Sequence, residues 1–70
     1  MTLKQLEVFL AVADTRSFSK GGEAVSLAQS PASQHIRALE DELVVRLFDR
    51  SATQVSWTEA GRLFYDHATR

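Results

Sequence analysis

Leu3, Leu6, Leu10 and Ala13 recur every three or four residues, and Phe9 and Val12 widen the stripe. This spacing predicts a first helix from about Thr2 to Asp14. Thr2 and Gln5 have the form of a capping box at its start: a hydroxyl that accepts from the first turn and an amide that reaches back. Thr15-Arg16 makes a short break, and Ser17 is a suitable cap for a second helix over about Phe18 to Val25. Ser26-Leu27-Ala28 reads as a turn. Ser30-Pro31 then reads as a helix start, with proline at the first helical position, where its missing N–H has no partner to lose. Ala32, Ile36, Leu39 and Leu43 share one face of this third helix, which is predicted to end near Leu43. Ser33, Gln34, Arg37 and Asp41 fall on the other.

The pattern then changes. Leu47-Phe48-Asp49-Arg50 and Val55-Ser56-Trp57 are short β-like runs around the polar loop Ser51-Ala52-Thr53-Gln54, a hairpin without Asn-Gly or Asp-Gly at its tip. Thr58 can cap a last helix, with Glu59 favourable in its first turn and Ala60, Leu63, Phe64 and Ala68 on its apolar side. The predicted fold is mainly α, a winged helix-turn-helix: a three-helix core, a two-stranded wing and the start of a further helix. Two positions conflict with local propensity. Gly21-Gly22 falls inside the second helix, where each glycine costs about 1 kcal/mol relative to alanine. If Gly21 is open, Gly21→Ala should stabilise; if a neighbouring backbone packs on it, the sign reverses. Val44 follows the third helix, and Val44→Gly should stabilise if that residue is left-handed.

Seventy residues make one domain at most. The hydrophobic fraction of 44% and the scarcity of Gly and Pro argue for a folded chain. The absence of cysteine excludes disulfides and thiolate metal sites and fits a reducing compartment. No apolar run approaches the ~20 residues of a membrane span, and the opening residues have no signal-peptide core. A cytoplasmic domain is the expectation. The net charge of −1 runs against the basic balance usual for nucleic-acid binding. Yet no acid lies between Glu23 and Glu40, the stretch that holds the turn and most of the third helix. The acids Glu40-Asp41-Glu42 read as a solvated helix face.

The start of the third helix has the chemistry of a base reader. Gln29 and Gln34 carry paired donor and acceptor atoms that match the N6/N7 edge of adenine. Ser30 and Ser33 are short enough to let the helix sit deep. Pro31 offers apolar surface to a thymine methyl, whereas Ala32 falls on the core face. Arg37 is placed for a phosphate, as are Ser17 and Lys20 near the start of the second helix. In the wing, Arg50 can meet a phosphate or the minor groove, and Ser51, Thr53 and Gln54 can add backbone contacts. The bland alternatives are solvated glutamines and a salt bridge of Arg50 with Asp49 or a C-terminal acid. Trp57 is expected to pack beneath the wing rather than stack on bases. His35 and His67 have no second ligand at metal spacing. No nucleophile–base pair or phosphate loop supports an enzyme. A winged helix used only for protein association is the rival reading.

Three stretches together resemble the N-terminal part of bacterial LysR-type transcriptional regulators. Leu6, Phe9, Val12, Ala13, Ser17, Phe18 and Ser19 fit the family's opening pattern. Gln29, Ser30, Ser33, Ile36, Leu39, Glu40 and Leu43 fit its recognition helix, and Leu47, Phe48, Arg50, Trp57, Thr58, Ala60 and Gly61 fit its wing. Gly21-Gly22, Ala28, Gln34 and Val44 depart from the pattern. The resemblance implies sequence-specific binding of double-stranded DNA, with residues 29–43 in the major groove and the wing, about 47–57, on the backbone or minor groove. It further implies a division into residues 1–57, the DNA-binding domain, and 58–70, the start of a linker helix that pairs two subunits. No cofactor is implied for this domain; a small-molecule effector is implied for a separate C-terminal domain. A chain with so little of the linker is expected to be monomeric or weakly dimeric.

Overall fold

The computed structural model describes residues 1–50 and 55–70, with Gln29 described by its backbone. Helix α1 spans Leu3–Thr15 and begins as the capping box requires. The Thr2 hydroxyl accepts from the Gln5 N–H at 3.1 Å, and the Gln5 side chain accepts from the Thr2 N–H at 3.0 Å. It closes at Arg16, a left-handed residue with φ 54°. The buried stripe is rotated from the one anticipated. Val8, Phe9, Val12 and Ala13 face the core, Leu6 and Leu10 are half-buried, and Leu3 is 73% exposed. Phe9 sets this rotation by packing its ring 4.9 Å from Phe64 and 5.3 Å from Phe48, while Leu3 lies in the first turn, ahead of the packed part of the helix.

Helix α2 spans Phe18–Ala24, capped by Ser17, whose hydroxyl accepts from the Lys20 N–H; Val25 is its C-cap rather than its last turn. The two glycines answer to close packing. A Cβ on Gly21 would stand 2.8 Å from both the Cα and the N of Val12, and one on Gly22 would stand 2.6 Å from the Leu27 carbonyl oxygen. Of the two alternatives for Gly21, the packed one is realised: α1 lies directly on the bare Cα, and the sign of Gly21→Ala reverses. The chain reverses through Ser26, at φ 62°, as the Leu27 N–H bonds back to Gly22.

Helix α3 spans Gln29–Leu43. It starts two residues earlier than a first-position proline implies, so Pro31 is its third residue and not its first. Proline is still harmless there, because the first N–H to find a partner within the helix is that of Ala32, bonded to Ala28. Ala28 caps without a side-chain hydrogen bond. Ala32, Ile36 and Leu39 are fully buried. Val44 ends the helix at φ 58° and is 85% exposed. Strands β1 (Phe48–Asp49) and β2 (Ser56–Trp57) pair antiparallel, Phe48 opposite Trp57. Helix α4 spans Glu59–Ala68 and is capped by Thr58, which accepts from the Gly61 N–H.

The architecture is the anticipated winged helix-turn-helix. A further expectation fails: Trp57 is 38% exposed and lies against Tyr65 of α4, 5.1 Å between rings, instead of under the wing. The space beneath is taken by Phe48, which contacts Phe9 and Phe18. Tyr65 also donates to Asp14 at 2.6 Å, and this bond raises its phenol pKa above the ordinary value. Among the described residues no helix is long and apolar enough to cross a membrane.

Two substitutions test the backbone account. Gly21→Ala gains about 1 kcal/mol of helix propensity but forces α1 and α2 apart at an overpacking cost of about 1–3 kcal/mol. A net loss of stability is expected in urea melts. Val44→Gly relieves a β-branched residue in the left-handed region and removes little buried surface, so a gain of up to ~1 kcal/mol is expected in the same measurement.

Candidate nucleic-acid interface

Helix α3 buries one face and leaves the opposite face free. Ser30, Gln34, Arg37 and Asp41, at i, i+4, i+7 and i+11, are all exposed and form one strip along it. Pro31 is exposed and lines a shallow hollow with Gln34, His35 and Ala38 on one flank of that strip. Ser33 is half-buried on the other flank. Gln29 is the first residue of the helix; its side chain lies outside the described residues, as do Ser51, Thr53 and Gln54 of the wing. Arg37 has no ion pair among the described residues, and the same holds for Lys20, which is exposed on α2. Ser17 is half-buried, its oxygen occupied as the α2 cap, with the hydroxyl proton left to donate.

The flank toward the wing is organised by an acid that sequence reading placed in solvent. The run Glu40-Asp41-Glu42 divides three ways. Asp41 is exposed, Glu42 pairs with the Met1 ammonium, and Glu40 is buried at 4% exposure. One oxygen of the Glu40 carboxylate accepts from the Leu47 N–H at 2.7 Å and the Phe48 N–H at 3.3 Å; the other accepts from Arg50 Nη2 at 3.2 Å. A negative charge near a helix C-terminus is unfavourable by itself, and a buried one more so. Three donors offset that here. The sequence carried the signal: Glu40 stands four residues after Ile36 and three before Leu43, on the apolar stripe itself.

Arg50 is thereby turned inward. Its guanidinium lies 4.7 Å from the centre of the Phe18 ring and bonds Glu40, and its buried Nε has no partner among the described residues. Burial lowers its pKa from the ordinary value, Glu40 opposes that shift, and Arg37 and Arg46 add to it. Arg50 pairs with Glu40, an acid that the ion-pair alternative did not name. On the far side of β1, the Thr58 hydroxyl donates to the Arg46 carbonyl at 2.5 Å and the Thr58 N–H donates to the Leu47 carbonyl at 3.0 Å. A Cβ on Gly61 would come within 2.0 Å of that same Leu47 oxygen, so α4 can seat only with glycine there. Among the described residues no group of three or more His, Cys, Asp or Glu is placed to hold a metal ion.

Residues 3–62 match the family described as bacterial regulatory helix-turn-helix protein, lysR family. The chain belongs to the LysR family. All 70 residues of this LysR-family chain align at 50% identity with an uncharacterised HTH-type transcriptional regulator in the ibpB-leuC intergenic region of Azotobacter vinelandii, covering 49% of that protein. HTH-type transcriptional regulator ShiR of Corynebacterium glutamicum (strain R) is 48% identical over 68 residues, 97% of the chain and 23% of ShiR. The chain thus spans half or less of these curated relatives. Among solved structures, the BenM DBD in complex with benA site 1 DNA superimposes with TM-score 0.94 at 38% identity, over 99% of this chain and 78% of that one. The CbnR DBD in its DNA complex gives TM-score 0.93 at 33% identity, over 100% and 80%.

Removing Glu40 should cost more than removing its cation. Glu40→Ala leaves two buried N–H groups and a guanidinium without their acceptor, and a loss of about 3–5 kcal/mol is expected. Arg50→Ala leaves the carboxylate both N–H donors and should cost less. Urea melts of the two variants check the order; a larger loss for Arg50→Ala contradicts it.

Proposed function

We propose that this chain is the reading head of a transcriptional regulator and binds double-stranded DNA in a sequence-specific way. Helix α3 enters the major groove by its N-terminal half and the wing lies beside the backbone or minor groove. The observation that carries this reading is the agreement of the backbone with the BenM and CbnR domains solved on DNA. The exposed strip of α3 supplies the chemistry. Gln34, with Gln29 at the helix start, reads base edges; Ser30, Pro31 and Ser33 permit close approach and contact bases or phosphates. Arg37, and on α2 Ser17 and Lys20, hold the backbone. Ser51, Thr53 and Gln54 add wing contacts. Arg50 contributes by fixing the wing to α3, since its charge is already matched by Glu40.

The whole protein would extend from α4. Residues 58–70 begin a linker helix that pairs two subunits, and a further domain senses a small-molecule effector. The chain itself needs no cofactor and carries out no catalysis. Its place is the cytoplasm, on the chromosome.

Binding selection on randomised duplexes, followed by a salt titration, tests the reading. Gln34→Ala should change the preferred site, with a loss of ~1–3 kcal/mol on the original one. Arg37→Ala should weaken every sequence alike and reduce the slope of log K against log salt by about 0.9. A chain without salt-dependent affinity for any duplex would instead be a protein-association module, the reading its net charge of −1 favours.

A further inference from the structure

The Glu40 carboxylate matches one cation, and two more stand beside it. Arg37 and Arg46 both act on Arg50 electrostatically, so the three guanidinium groups share one neighbourhood. Arg50 is spent on Glu40. Arg37 and Arg46 are exposed and have no ion pair among the described residues. They line a single open cleft of about 460 Å³, together with Glu40, Asp41, Val44 and Val45. Glu40 lines it with both oxygens already engaged by Leu47, Phe48 and Arg50. Asp41 is the one opposing charge on the open side.

The backbone under Arg46 is fixed on both sides. Its carbonyl accepts from the Thr58 hydroxyl, and the next N–H, that of Leu47, is held by Glu40. The Cα of Arg46 therefore cannot drift, while its side chain stays free. Arg37 sits on the strip that carries Ser30 and Gln34, so the cleft continues the proposed reading face toward the wing.

We propose that this cleft takes a phosphodiester of the DNA backbone, with Arg46 a phosphate-binding residue beside Arg37. The inference rests on the DNA-binding reading above and adds to it a contact from the connection between α3 and β1. Arg46 had no assigned role in the sequence, because it lies outside every periodic element and next to Val44-Val45. A guanidinium at the rim of a concave site can engage phosphate oxygens bidentately. It positions the protein on the duplex and carries no base information.

The test is duplex binding by the wild type, Arg46→Ala and Arg46→Lys across a range of salt concentrations, with urea melts alongside. Arg46→Ala should fold as the wild type does and bind all sequences more weakly by a common factor. Its slope of log K against log salt should fall by about 0.9. Arg46→Lys, which keeps the charge, should keep the slope. A wild type that binds DNA with a slope unchanged in Arg46→Ala overturns this inference alone. So does a changed preferred sequence in Arg46→Ala, which would make the residue a base reader. A wild type with no duplex affinity brings down both readings.

Discussion

A buried carboxylate on the recognition helix decides where the wing sits. Glu40 takes the first two N–H groups of the wing and its arginine in one pair of oxygens, so α3 and β1 cannot move independently. Two strands of two residues each have little stability of their own. They gain it from this anchor on one side and from Thr58, which bonds the carbonyls of Arg46 and Leu47, on the other. The segment 46–48 is thus a crossbar between α3 and α4, and Gly61 is the notch that admits it.

The same arrangement partitions charge. A chain with net charge −1 can present cations on one face only if its acids are used elsewhere. Glu40 is consumed inside, Glu42 by the chain's own N-terminus and Asp14 by Tyr65. What remains along α3 and its exit is Ser30, Gln34, Arg37 and Arg46, with Asp41 at the far end. The face is polar where bases would be read and cationic where a backbone would run, which is how affinity and selectivity divide in DNA recognition.

Most of the architecture could be read from spacing and caps. Thr2, Ser17 and Thr58 each cap the helix assigned to them, and Ala32, Ile36 and Leu39 face the core as their period requires. Failures came where a tertiary neighbour decides. At Gly21 the spacing leaves a weak helix and a close approach both open, because propensity does not see α1 lying on its Cα. Trp57 was assigned by area alone, but Phe48 fills that space and the indole moves out to Tyr65. Pro31 was displaced by the two residues of helix that Ala28 initiates without a hydroxyl. Glu40 was read by its charged neighbours in sequence and not by its place on the apolar stripe. Arg50 followed from that error, since its inward turn needs a buried acid to meet. The exposure of Gln34 and Arg37 on one strip of α3 was legible because that strip is what remains once the core face is known.

Native-state hydrogen exchange at the Leu47 and Phe48 amides tests the anchor most directly. Both N–H groups end on the Glu40 carboxylate, and neither has another acceptor among the described residues. They should exchange slowly in the wild type, near the rate of the α3 core amides, because opening them requires breaking α3 from the wing. In Glu40→Gln, where one oxygen becomes an NH₂ donor, protection at these two amides should fall by more than at Ile36 or Leu39. Exchange at Leu47 as fast as in an open loop of the wild type, or equal loss of protection across α3 and β1 in the variant, would contradict the account.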